Sequence, residues 1–130
     1  MKASVSASGP ADPDDVWDRY VHPARWHEWS PQIMSVDYPD ASLSTGGSGT
    51  VHGPCGIAVD FEVLSIDDEK RCWSWRVTVL GISLTLDHDV RAVAAAGPDT
   101  ALTTLDISGP APMVIGYAPI ARLALNRLVR

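Results

Sequence analysis

The sequence is poor in basic side chains, in cysteine and in long apolar runs. Ten Lys and Arg stand against sixteen Asp and Glu, giving a formal net charge of −6. Nucleic-acid binders need a basic surface to neutralise phosphates, so we expect no nucleic-acid partner. No apolar run is long enough to span a bilayer, and the first residues lack the apolar core of a signal peptide. We therefore expect a cytoplasmic protein without a membrane span.

Neither a disulfide nor a bound metal is expected. A hairpin in which Cys55 precedes one strand and Cys72 begins the next places the thiols roughly 30 Å apart, at about 3.4 Å per residue. Reduced thiols suit a cytosolic protein. The glycines at 46, 47 and 49 lack the residues of a phosphate-binding loop, so no cofactor is expected. The histidines fall in different predicted elements, without the short ligand spacings of a metal site. They are His22, His27, His52 and His88.

The chain length favours one domain over residues 1–130, because 130 residues with 45% hydrophobic content can form one core but hardly two. Alternating apolar residues and Gly/Pro turns predict a series of strands. They cover residues 2–8, 33–38, 50–52, 58–66, 71–79, 82–93 and 100–108.

Two short helices are predicted between the first and second strands, and one long helix after the last strand. Asp12 suits the N-cap of a first short helix and Pro13 its first turn. Residues 24–29 form a second short helical piece. The last stretch places apolar residues at helical spacing, and Pro119 should kink that helix or mark its true start. These apolar residues are Met113, Tyr117, Ile120, Ala124 and Leu128.

A sheet that is apolar on one face must be covered, and the terminal helix is the only large element left to cover it. We therefore predict an α+β fold in which a curved antiparallel sheet wraps around a long C-terminal helix. A strongly twisted sheet around one helix leaves space for a cavity between them.

The hairpin around Leu80-Gly81 gives the most specific register prediction. Residues two apart in a strand share a face, so Trp73 and Trp75 point to the same side. With a two-residue turn, Trp73 lies opposite His88 and places one titratable group in an apolar wall. The remaining predicted pairs are Val79 with Ile82, Val77 with Leu84, and Trp75 with Leu86.

The register of the preceding hairpin leaves two orientations open. If Ile66 pairs with Arg71 directly, Glu62 faces inward beside Trp75, whereas a bulge turns Phe61 and Val63 inward. The alternation of Val59, Phe61 and Val63 favours the bulged register, which leaves Glu62 outside.

Several motifs resemble the polyketide cyclase/dehydrase and lipid-transport superfamily, which includes START-like and birch-pollen-allergen-like (SRPBCC) proteins. The most specific is segment 23–31, a small helix that ends in Trp26-His27-Glu28-Trp29-Ser30-Pro31. The others are residues 12–17, 47–49, 61–63, 71–75, His88 and 109–112. The resemblance implies a helix-grip fold with a tunnel for an apolar or amphipathic ligand, but no particular reaction.

The predicted pocket combines aromatic, aliphatic and titratable side chains. His88 is the candidate acid or base, because imidazole titrates near neutral pH. The competing interpretation is a neutral core histidine, bonded to a backbone carbonyl or to Thr103 or Thr104. The predicted pocket residues are Phe61, Trp73, Trp75, Val77, Leu84, Leu86, His88 and Tyr117.

Three functions remain open at this point. The first is a carrier or sensor of a small hydrophobic or aromatic molecule, lipid-like or polyketide-like. The second is a polyketide cyclase or dehydratase that uses His88 as acid/base. The third is a protein-interaction module whose apolar groove receives a peptide or another subunit. The sequence leaves the ligand's identity and the oligomeric state open.

Overall fold

The computed structural model describes residues 1–92 and 100–130. The helices are α1 (Pro13–Val21), α2 (Trp26–Trp29) and α3 (Ala111–Leu128), with short 3₁₀ turns at Pro23–Arg25 and Pro54–Gly56. The strands are β1 (Lys2–Gly9), β2 (Ser35–Asp37), β3 (Ser48–His52), β4 (Ala58–Asp67), β5 (Cys72–Val79), β6 (Ile82–Ala92) and β7 (Ala101–Ser108).

The strands form one antiparallel sheet in the order β1-β7-β6-β5-β4-β3-β2. The sheet is curved, and α3 lies across its concave face. Asp12 caps α1 as predicted, because its Oδ1 accepts a hydrogen bond of 2.9 Å from the backbone N–H of Asp14. The predicted α+β helix-grip architecture, with two short helices after the first strand, is confirmed.

Both hairpin predictions agree with the observed register. Trp73 pairs with His88, and the other three predicted pairs of β5 and β6 are present. Leu80 and Gly81 have φ of 51° and 77°, and positive φ at both positions is typical of a two-residue type I′ turn. A bulge between Val63 and Ser65 leaves Glu62 on the exposed face. The bulged register is therefore confirmed.

Some predicted boundaries differ from the structure. Helix α3 begins at Ala111 and continues through Pro119, so that proline does not mark its start. Pro119 lies on an exposed side of the helix, where water can bond the carbonyl that its missing N–H leaves free. β3 begins at Ser48, two residues before the predicted strand 50–52, and Gly46 and Gly47 already bond to the backbone of Val63. Val93, the last residue of the predicted strand 82–93, lies outside the described residues.

Aromatic rings fill one part of the concave side of the sheet. Trp26 from α2 packs on Phe61, Trp73 and Trp75, with centroid distances of 5.5, 5.8 and 5.0 Å. Tyr20 from α1 packs on Trp73 at 5.7 Å. Tyr20 and Trp26 of the two short helices therefore fill the concave side of the sheet beneath them. We call these two residues the aromatic plug.

The C-terminal end of α3 is held directly against β1. A Cβ placed on Gly9 would lie 2.2 Å from the backbone oxygen of Val129. That oxygen also accepts a hydrogen bond of 3.0 Å from the N–H of Ala11. Arg19 donates to the carbonyl of Leu128 at 2.6 Å, which satisfies one of the free carbonyls at the end of the helix.

The Gly9→Ala variant should therefore lose stability. The added methyl group cannot fit unless the strand and the helix separate, and we expect a loss of about 1–3 kcal/mol in the free energy of unfolding. Urea denaturation followed by circular dichroism measures it. Ser8→Ala, at the exposed neighbouring position, is the matched control. Equal stability of the two variants would show that the helix does not lie this close to β1.

Candidate functional site

A cavity of about 320 Å³ lies between the sheet and the first half of α3. Strands β3 to β6 form one wall, α3 forms the other, and the segment after α2 closes one side. The lining residues are Gln32, Ile33, Val51, Val59, Trp75, Val77, Val79, Leu84, Pro112, Met113, Gly116, Tyr117 and Ile120.

The spacing of the helical residues explains why they face the cavity together. Pro112, Gly116 and Ile120 are four residues apart, as are Met113 and Tyr117, so they share one side of α3. A Cβ on Gly116 would meet no atom within 4 Å. Gly116 is exposed, so the cavity is open to solvent at this point, whereas the other end of the helix touches β1.

The cavity wall is apolar and uncharged. Among the described residues, none of those that line it is Asp, Glu, Lys, Arg or His. The indole N–H of Trp75 already donates to Nε2 of His88 at 3.0 Å. The other polar side chains in the lining are those of Gln32 and Tyr117.

A second, much smaller void of about 20 Å³ lies deeper in the molecule. Ile33, Trp75 and Tyr117 line both spaces and so form the partition between them. Buried residues of α2, α3 and the sheet complete the small void, together with Ser30.

Hydrogen bonds fix the state of His88. Indole nitrogen only donates, so His88 Nε2 must accept from Trp75 and Nδ1 must carry the proton. Nδ1 lies 3.2 Å from the Tyr20 hydroxyl, to which it donates. The Tyr20 hydroxyl in turn lies 2.5 Å from Thr103 Oγ1, which donates to the carbonyl of Asp89 at 2.9 Å. The hydrogen bonds therefore run in one direction, from Trp75 through His88, Tyr20 and Thr103 to the carbonyl of Asp89.

Burial keeps these groups neutral. It lowers the pKa of His88 from 6.5 to about 3, because the charged imidazolium would be removed from water. Burial also raises the pKa of Tyr20 and, to about 12, that of Tyr117. At neutral pH the site therefore offers an uncharged imidazole and uncharged phenols.

Comparison with known proteins agrees with this architecture. The family model described as "Polyketide cyclase / dehydrase and lipid transport" matches residues 1–130. The chain belongs to this polyketide cyclase/dehydrase and lipid-transport family. No curated protein matches the chain.

Solved structures with the same fold share little sequence with this family member. DynU16, from the dynemicin biosynthetic locus, is 22% identical with a TM-score of 0.78; the match covers 99% of this chain and 46% of DynU16. The chain thus spans about half the length of DynU16. A Nitrosospira multiformis protein is 16% identical with a TM-score of 0.81, covering 99% and 94% of the two chains. Ara h 8.0201 is 11% identical with a TM-score of 0.74, covering 99% and 95%. At these identities the likeness establishes the fold alone.

The structure divides the predicted pocket residues between the cavity and the wall behind it. Trp75, Val77, Leu84 and Tyr117 line the cavity. The remaining four are buried in the wall; His88 borders the small void and, with Trp73, a separate pocket lined by Ser74, Asp87 and Asp106. They are Phe61, Trp73, Leu86 and His88.

The aromatic plug is the physical reason for this division. Tyr20 and Trp26 cover the end of the sheet where Trp73 lies. Trp73 stacks on His88 with centroids 4.7 Å apart and an interplanar angle of 12°. The indole nitrogen of Trp73 is buried, and no described residue bonds to it.

The sequence reasoning missed more than half of the lining. Val59 and Val79 share strand faces with Phe61 and Val77, so alternation was a usable signal for them. The four-residue spacing on α3 was the signal for Gly116 and Ile120. Gln32 follows Pro31 in an irregular segment, and no pattern in the sequence marks it.

Neither a metal site nor a membrane-spanning helix is found in the part of the chain that the structure describes. There, no three His, Cys, Asp or Glu side chains come together to hold a metal ion. Cys72 is a free thiol. Of the helices in residues 1–92 and 100–130, none is long and apolar enough to cross a membrane.

The buried neutral His88 should make stability depend on pH. Between pH 6.5 and about 3, the unfolded chain binds a proton at this position that the folded protein does not. Stability should therefore fall with falling pH, by up to about 1.4 kcal/mol per pH unit from this group.

His88→Gln removes this titration and should flatten the acid side of the stability curve, which urea denaturation between pH 7 and 4 measures. The variant should be less stable overall, because it disturbs the bonds to Trp75 and Tyr20. His27→Gln, which removes an exposed histidine, is the control. An acid limb in His88→Gln as steep as that of the unmodified protein would contradict the assignment of a neutral His88.

Proposed function

We propose that this protein binds a small hydrophobic or aromatic molecule in the cavity between the sheet and α3, as a carrier or a sensor. The observation that carries the proposal is the apolar, uncharged lining contributed by both the sheet and the helix. A concave space of this kind with a few polar groups is the usual form of a small-molecule site.

The size of the cavity limits the ligand. At roughly 30 Å³ per water-sized group, a volume of about 320 Å³ holds on the order of ten non-hydrogen atoms. A bicyclic aromatic molecule or a short aliphatic chain fits this volume. An α-helix of a partner protein, about 10 Å across, does not, so a small molecule is favoured over a peptide in this cavity.

The geometry favours binding over acid/base catalysis by His88. A general acid or base must reach the ligand within hydrogen-bonding distance. Both ring nitrogens of His88 are bonded to Trp75 and Tyr20, and the imidazole borders the small void behind the partition. The cyclase or dehydratase function predicted from the sequence therefore remains a prediction without a specific supporting contact.

Gly116 offers a direct test of the binding site. Gly116→Leu should place its side chain in the cavity and weaken binding of 1-naphthylamine, a neutral bicyclic fluorophore of the size that the cavity holds, by about tenfold or more, since each lost CH₂ contact is worth about 0.8 kcal/mol. Fluorescence titration measures the affinity.

Gly116→Ala is the matched control. Both substitutions improve helix propensity, by about 0.5–1 kcal/mol for Ala, so neither should unfold α3. Only Leu fills the space. Unchanged affinity in Gly116→Leu would show that the fluorophore binds elsewhere. No binding of the fluorophore to the unmodified protein would contradict the proposed function itself.

A further inference from the structure

Two polar side chains of the cavity lining can form hydrogen bonds with a ligand. The indole N–H of Trp75 is engaged by His88, so this ring offers its apolar surface to a ligand. The hydroxyl of Tyr117 and the amide of Gln32 are the remaining polar groups of the lining. Tyr117 lies on α3 and Gln32 in the segment after α2, where it precedes Ile33, which forms the partition together with Tyr117.

Tyr117 is a permanent hydrogen-bond donor within this site. Its pKa of about 12 keeps the hydroxyl protonated at any ordinary pH. Tyr117 also lines the small void, whose other residues belong to the packed core. A ligand atom that reaches this hydroxyl therefore lies at the inner end of the cavity.

Gln32 contributes an unsatisfied acceptor. Its side-chain oxygen is buried and has no hydrogen-bond partner among the described residues. A buried polar atom without a partner is destabilising, and a ligand donor would remove that cost. The last torsion of glutamine is broad, so the amide can turn its oxygen toward the cavity with little strain.

A charged ligand is disfavoured in the same cavity. An ion in the cavity would lose its hydration and find no opposite charge among the lining residues. The formal net charge of −6 further disfavours an anion. These conditions disfavour a free carboxylate among the lining side chains, including that of a fatty acid.

We propose that the cavity selects a neutral molecule about the size of two fused rings that carries a hydroxyl group, with the ligand oxygen accepting from Tyr117 and the ligand hydrogen donated to Gln32. This inference rests on the proposed function, because it assigns the ligand class of the same cavity. Tyr117 and Gln32 determine specificity, and the aliphatic wall supplies affinity for any apolar ring system.

Four naphthalenes separate the contributions: 2-naphthol donates and accepts, 2-methoxynaphthalene only accepts, naphthalene does neither, and 2-naphthoate is charged. Calorimetric titration at pH 7 should give the tightest binding for 2-naphthol, then 2-methoxynaphthalene, then naphthalene. Each step should be about three- to tenfold, the usual worth of one net hydrogen bond. 2-Naphthoate should bind most weakly.

Two variants test which residue accounts for each difference in affinity between the probes. Tyr117→Phe should weaken 2-naphthol and 2-methoxynaphthalene and leave naphthalene unchanged. Gln32→Met should weaken 2-naphthol alone. Tyr38→Phe is the matched control, because the Tyr38 hydroxyl bonds the backbone N–H of Ser44 and does not line the cavity.

The outcomes distinguish this inference from the proposed function. Equal affinities for 2-naphthol and naphthalene in the unmodified protein would overturn the hydroxyl assignment and leave the cavity as a general apolar site. Tight binding of 2-naphthoate would overturn the exclusion of charge. Equal weakening of all probes by Tyr117→Phe would show a structural effect in place of recognition. Failure of every naphthalene to bind would contradict the proposed function as well.

Discussion

The close approach of the end of α3 to β1 determines the rest of this structure. Gly9 allows the backbone of Val129 to lie where any side chain on the strand would collide with it. Hydrogen bonds from Ala11 and Arg19 hold the same end of the helix. At Gly116, in the first half of α3, an added Cβ would meet nothing. The helix is held closely against β1 at one end, and the cavity lies between its other end and strands β3 to β6.

The aromatic plug determines where along the sheet that gap can lie. Tyr20 and Trp26 fill the concavity in front of Trp73. Trp75 lies between the plug and the cavity, because it packs on Trp26 and also lines the cavity. Its bond to His88 holds the indole in place, so this histidine orients a residue of the cavity wall.

The sequence specified the sheet well because alternation and turn residues are local signals. Leu80-Gly81 fixed the register of β5 and β6, and the alternation of Phe61 and Val63 required a bulge. The helix-grip arrangement followed from one long amphipathic segment, with support from the resemblance to a known family.

The site was less accessible to sequence reasoning because it depends on which side chains are already covered. Alternation puts Trp73 and Trp75 on one face, but only the placement of α2 shows that the plug buries Trp73. The role of Gly116 depends on the distance between the helix and the sheet, which no local pattern encodes. Gln32 comes from an irregular segment, and only its place in the folded chain brings it to the cavity.

The central claim is that an apolar space separates the first half of α3 from the sheet. A crystal structure under xenon pressure tests it directly, because xenon occupies apolar cavities without requiring a specific ligand. We expect xenon between Val77, Gly116 and Tyr117. A site without xenon, with the side chains of α3 packed directly on Val77 and Leu84, would contradict it.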